Sequence, residues 1–174
     1  MESIIAAIVV IGLILYAGLT IFEESMTTQA QLTESWLEME ERTEARIDTT
    51  MTPISATTTT AGAVVEVTLR NDGSTRLVDF DRWDVVLQYY SDTSYEMGWY
   101  PYVNGPLGNN QWTVKGIYTD AAAAQPEVFE PGIFNPGEEL VVQLQLLPTI
   151  GMTTTNMIVI GTANGVTVPA MVNR

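Results

Sequence analysis

Ser3 to Phe22 reads SIIAAIVVIGLILYAGLTIF, twenty consecutive residues without a charge. As an α-helix rising about 1.5 Å per residue, the stretch spans roughly 30 Å, the thickness of a bilayer's hydrocarbon core. It is apolar on every side, so no single face can be turned to water. Lipid or other apolar helices must surround it. The run is too long and uniform for the apolar region of a signal peptide, and no small-residue cleavage site follows it.

The flanks sharpen this reading. Glu2 precedes the run, Glu23 and Glu24 follow it, and the first basic residue is Arg42. A single-span anchor is normally held by Lys or Arg on its cytoplasmic side. The missing basic anchor leads us to expect a short basic leader removed ahead of Met1; a plain single-span anchor is the competing expectation. Glu23 to Asp48 contains neither Pro nor Gly. Within it Leu32, Trp36, Met39, Thr43 and Ile47 recur on one helical face, with Glu34, Glu38, Glu41 and Glu44 elsewhere. The spacing predicts one helix from about residue 3 to 48, roughly 70 Å long. Its first half is apolar all round and its second half amphipathic.

Thr49 to Gly62, TTMTPISATTTTAG, ends the helix through Pro53 and its β-branched threonines. The segment reads as an extended neck. Thr57, Thr58, Thr59 and Thr60 are candidates for O-linked sugar, with an unmodified loop or edge strand as the alternative. From residue 63 the hydrophobic period becomes two. Val65, Val67 and Leu69 alternate with polar neighbours, and Asn71-Asp72-Gly73-Ser74 turns the chain. Further strands are predicted at 76–80, 83–90, 95–100, 111–118, 140–146, 156–162 and 166–172, the last two flanking an Asn164-Gly165 hairpin signal. Ala121 to Pro136 reads as loop. The predicted fold is α+β: a long N-terminal α-helix followed by an antiparallel immunoglobulin-like β-sandwich head. The expected divisions are 1–48 for the helix, 49–62 for the neck and 63–174 for the head.

Composition narrows the function. Twenty-one acidic residues against seven basic ones leave a net charge of −14, which repels phosphate backbones, so no nucleic-acid partner is expected. The chain has no His and no Cys, which removes the usual zinc sites, Ser-His-Asp triads and Cys-His dyads. No Gly-rich phosphate loop carries a Lys, since Lys115 is the sole lysine. We expect no enzyme activity and no cofactor. Asp79, Asp81 and Asp84 are weak calcium candidates, set against a reading as a solvated acidic edge that discourages strand pairing. Aromatic residues crowd Tyr89 to Tyr118, and Trp99 and Tyr100 are candidates for a contact between heads or an outer adhesive face.

The apolar opening IIAAIVVIGLILYAGLTIF, the unbroken polar helix after it, and the head phrases VEVTLRNDGSTRLVDFDRWDVVLQYY and FNPGEELVVQLQLLP together resemble the archaellins, and more broadly the type IV pilin-like filament subunits. The resemblance covers the whole chain in outline. It implies a precursor trimmed by a prepilin-type peptidase, passage through the cytoplasmic membrane, assembly on a membrane platform, and an extracellular helical homo-oligomer with apolar helices at its core. The acidic residue here is Glu2, whereas bacterial type IV pilins place a glutamate at the fifth mature position, here Ile5. The head is also small for an archaellin, which leaves open an accessory subunit or membrane-anchored binding module, or an adhesive pilus subunit. The residues expected to form the polymerisation core are Ile4, Ile5, Ala6, Ala7, Ile8, Val9, Val10, Ile11, Gly12, Leu13, Ile14, Leu15, Tyr16, Ala17, Gly18, Leu19, Ile21 and Phe22.

Overall fold

The structure is a computed structural model that describes residues 2–174; the side chains at positions 2, 3 and 6 lie outside that description, and with them the expectation for Ala6. One helix, α1, runs over Glu2–Ile47, 46 residues. No breaker interrupts it, and its threonines do not compete with the backbone ladder. Thr20 Oγ1 donates to the Tyr16 and Ala17 carbonyls at 3.1 and 3.0 Å, and Thr27, Thr28, Thr33 and Thr43 bond back one turn in the same way. Thr20 therefore carries no unpaired hydroxyl into the apolar half. Glu38 and Arg42, one turn apart, form an exposed ion pair at 4.0 Å. The chain divides into two compact units, residues 1–44 and 45–174.

The second unit holds nine strands: β1 (Met51–Thr59), β2 (Val64–Asn71), β3 (Asp84–Tyr90), β4 (Tyr95–Tyr100), β5 (Gln111–Asp120), β6 (Gln125–Pro126), β7 (Glu139–Gln145), β8 (Thr155–Gly161) and β9 (Thr167–Asn173). They form two antiparallel sheets, ordered β1-β2-β7-β5-β6 and β4-β3-β8-β9. Strand alternation turns Val65, Val67, Leu69, Leu140, Val142 and Leu144 of one sheet toward Val85, Leu87, Ile158, Ile160, Val168 and Val172 of the other. Trp83, Trp112 and Phe134 complete this core. Trp83 is fully enclosed and its indole N–H donates to the Val78 carbonyl at 3.0 Å, so its one polar atom is satisfied.

The sheets settle one local alternative and correct two expectations. Met51–Thr59 is an edge strand paired along β2, from Met51 opposite Asn71 to Thr59 opposite Val64. Its β-branched threonines suit a pleated edge, and Pro53 falls where the register slips, at an edge that tolerates a missing N–H. Residues 76–80 do not form a strand. Leu77 makes one bridge to Phe134, Asp79 takes a left-handed φ of 53°, and Phe80–Arg82 is a 3-10 turn. The Asn164-Gly165 hairpin is three residues long rather than two. Thr162 N–H donates to the Val166 carbonyl, Gly165 N–H to the Thr162 carbonyl, and Gly165 supplies the left-handed φ of 83°.

The Asn71-Asp72-Gly73-Ser74 turn is more than a reversal. Asn71 is fully buried; its amide donates to the Thr75 and Phe134 carbonyls at 2.8 and 3.1 Å, and its Oδ1 accepts from Gly73 N–H at 3.1 Å. The turn also completes the end of α1. A helix leaves its last carbonyls unpaired. The Ala45 carbonyl accepts from Thr49 Oγ1 and Asn164 Nδ2, and the Asp48 carbonyl from Ser74 N–H. Backbone approaches so closely here that a Cβ on Gly73 would sit 2.3 Å from the Asp48 oxygen. Beside it the Arg70 guanidinium, 2.6 Å from Asp72, holds that carboxyl below the usual carboxylate range.

Candidate assembly surfaces

Two surfaces stand out because an isolated chain leaves apolar side chains in water. The first is α1. Ile4, Ile5, Ile8 to Ile11, Leu13 to Tyr16, Leu19, Ile21 and Phe22 are all exposed. A Cβ added at Gly12 or Gly18 would meet nothing within 4 Å. Small residues of this kind let apolar helices approach closely when they pack. The helix is long and apolar enough to cross a membrane. Nothing in it is ionisable between Ser3 and Phe22 except the phenol of Tyr16, so the segment can accept either lipid or neighbouring helices. Further along, Leu32, Trp36, Met39 and Ile47 form an exposed stripe.

The second surface is the outer face of the β4-β3-β8-β9 sheet. Register stacks Trp99, Val86, Val159 and Pro169 in one row, Met97, Gln88, Met157 and Met171 in the next, and Tyr95 beside Tyr90 in a third. No charged side chain sits in these rows. Trp99 is 59% exposed, and its indole N–H donates to Asp84 Oδ1 at 2.8 Å. Tyr100 is a correction. It is only 6% exposed and belongs to the core, its ring lying against Gly98. Neighbouring residues on a strand point to opposite faces, so exposing Trp99 buries Tyr100. Tyr100 cannot form a head contact in this fold.

Burial raises the phenols of Tyr100 and Tyr89 above the ordinary tyrosine value, and each phenol influences the other. The Tyr89 hydroxyl also donates to the Pro148 carbonyl at 2.9 Å. Below about pH 10 both phenols are neutral in the folded and unfolded chain alike, and stability is complete. Above that point the unfolded chain releases these protons while the folded head keeps them, so stability falls as pH rises. Thermal melts should begin to drop above about pH 10 and keep falling as pH rises further, and Tyr100→Phe should flatten that drop. An equal drop in the variant would show that other groups govern alkaline unfolding.

The remaining candidates disperse. Asp79 lies 4.0 Å from Arg82, Asp84 is engaged by Trp99, and no group of three carboxylates converges among the described residues. The calcium candidates Asp79, Asp81 and Asp84 are therefore separate surface acids, since a calcium ion needs six or more oxygens around one point. Thr57, Thr59 and Thr60 are exposed at the β1 edge and the turn after it, whereas Thr58 is half-buried. Sequence reading did not single out Val128 and Phe129. They lie in the loop after β6 and are among the most exposed apolar residues of the head, at 86% and 67%. An apolar pair inside a loop with prolines at both ends was the available signal.

The fold is similar to that of several solved structures. The archaeal flagellum of Methanospirillum hungatei strain JF1 matches with a TM-score of 0.55 and 12% identity over 97% of this chain and 90% of that one. The archaellum periplasmic stator protein FlaG from Sulfolobus acidocaldarius matches with a TM-score of 0.50 and 20% identity, over 71% of this chain and 98% of that one. The periplasmic stator complex of FlaF and FlaG from the same organism matches with a TM-score of 0.51 and 21% identity, over 70% and 86%. At these identities the likeness is one of fold. No protein-family model matches the sequence, and no curated protein matches it.

Proposed function

We propose that this chain is a non-enzymatic structural subunit of an extracellular, archaellum-like helical filament, polymerised through α1. The observation that carries the proposal is a 46-residue helix whose apolar half is exposed in the single chain and is joined to a separately compact, acidic head. Twenty uncharged residues cannot remain in water. A membrane before assembly and neighbouring helices afterwards each resolve that exposure. The likeness to the archaeal flagellum supports this reading because it extends over helix and head together. Trimming by a prepilin-type peptidase and assembly on a membrane platform complete the proposal.

The second reading is a membrane-anchored accessory module. The two stator structures favour it, each matching about seven-tenths of this chain. Deletion of the helix bears on both. A fragment of residues 45–174 keeps the Ala45 and Asp48 carbonyls that the head's hydrogen bonds require. It should be a soluble monomer by sedimentation, while the full chain forms filaments visible by electron microscopy. Filaments grown from the fragment alone would remove α1 from the core. A full chain that stays as single membrane-inserted copies would favour the accessory module.

A further inference from the structure

The loop after β6 is built to hold its apolar pair outward. Glu127 Oε1 accepts from Gly132 N–H at 2.9 Å, Ile133 N–H donates to the Glu130 carbonyl at 3.1 Å, and Arg76 pairs with Glu130 at 3.1 Å. Both acids that flank Val128 and Phe129 are thus engaged at the loop's base. What projects is an uncharged tip on a chain of net charge −14.

A matching hollow of about 330 Å³ lies on the outer face of the β4-β3-β8-β9 sheet, between Tyr90, Tyr95, Met157 and Met171. None of its lining residues is charged. Tyr90 and Tyr95 pack with centroids 5.1 Å apart and ring planes tilted by 58°, and the Tyr95 hydroxyl donates to Gln88 Oε1 at 3.1 Å, which sets the wall in place. A cavity of about 150 Å³ is enough for a benzene ring, so the hollow admits one phenyl side chain with room beside it. Methionines adapt to an aromatic guest and make favourable sulfur–ring contacts.

The loop leaves the edge of one sheet, and the hollow is on the outer face of the other. A head cannot fill its own hollow. Two strongly acidic copies can approach closely only through uncharged surface, and loop tip and hollow are such a pair. A polar filament repeats one operation from copy to copy, so its contacts join two different surfaces and never one surface to itself. We propose that Phe129, with Val128 beside it, inserts into the Tyr90–Tyr95–Met157–Met171 hollow of a neighbouring copy of this chain. This rests on the filament reading. The helix holds the heads at high effective concentration, so a contact of one side chain per head suffices there although free heads stay apart.

Because the chain contains no cysteine, the contact can be tested by site-specific cross-linking. In the full-length chain, Val128→Cys combined with Thr155→Cys keeps the Phe129 ring and the Tyr90–Tyr95 wall, and treatment with a short bismaleimide should give a ladder of covalent multimers. Either single variant should stay monomeric on the denaturing gel, as should Thr57→Cys combined with Thr155→Cys. Both target positions are exposed, so the substitutions leave the core intact. The same reaction is run on filaments and on full-length chain packed densely into lipid vesicles. Filaments without a ladder overturn this contact and leave the filament reading standing. A ladder on vesicles with no filaments under any condition keeps the contact and sinks the filament reading. Dimers from Thr155→Cys alone would mean that hollow meets hollow, which also overturns the proposal.

Discussion

Gly12→Glu is expected to abolish assembly while leaving the head folded and the chain in the membrane. Burying one charged residue at the centre of an apolar helix costs about 3 kcal/mol by membrane-insertion measures, and more where no water or headgroup can reach it. The twelve Ile, Val, Leu and Phe residues from Ile4 to Phe22 each favour insertion by roughly 0.3 to 0.6 kcal/mol. Insertion therefore survives the substitution. Association between helices has no such reserve, since lipid tails solvate leucine as well as another helix does. Gly12 has open space around it in the single chain, so the glutamate creates no clash there. About 3 kcal/mol lost at each repeat is a factor of more than a hundred per contact. Pelleting and electron microscopy should show no filaments, with normal chain in the membrane fraction and an unchanged melt of the head. Leu13→Met, which changes shape but not polarity, should assemble normally. Filaments at ordinary yield from the glutamate variant would mean that this part of α1 is wet.

Asn71→Ala should destabilise the 45–174 fragment by about 2 to 4 kcal/mol. The substitution strands two part-buried backbone groups, the Thr75 carbonyl and the Gly73 N–H, and takes one of its two donors from the Phe134 carbonyl, which keeps only Leu77 N–H. Against a total of about 5 to 15 kcal/mol for a domain, that is a large share. Asn71→Asp should be worse at neutral pH. It keeps the acceptor for Gly73 but sets a carboxylate against two carbonyl oxygens with no donor between them. Lowering the pH should recover part of the loss, because a protonated carboxyl can donate to one of those oxygens. Gly73→Ala, whose Cβ would lie 2.3 Å from the Asp48 oxygen, should cost about 1 to 3 kcal/mol through displaced backbone. Urea titrations of the fragment compare all three. A neutral Asn71→Ala would remove this residue as the support of the turn. An Asn71→Asp variant as stable as wild type would do the same for the donor argument.

The helix was legible along the sequence because its signals are local. An uncharged run followed by a stretch without Pro or Gly has no other regular conformation that pairs every backbone group. The principal strands were legible for a related reason: alternation of apolar and polar residues at 65–69 and 140–146 records which side of each strand is dry. What escaped depends on contacts distant in sequence. Asp79 breaks a predicted strand through one left-handed residue, and β1 becomes a strand only because β2 is there to pair with it. Asn71 reads as a turn residue, yet Phe134, 63 positions away, makes it a buried support.

Trp99 and Tyr100 mark the boundary most clearly. Adjacent residues on a strand face opposite ways, so the sequence alone determined that one of them lies in the core and the other outside. Both are large and aromatic, and neither has a local preference that decides between the two faces. The tertiary structure decided it, because pairing β4 along β3 sets Tyr100 opposite the buried Val85 and Trp99 opposite Val86 on the outer face.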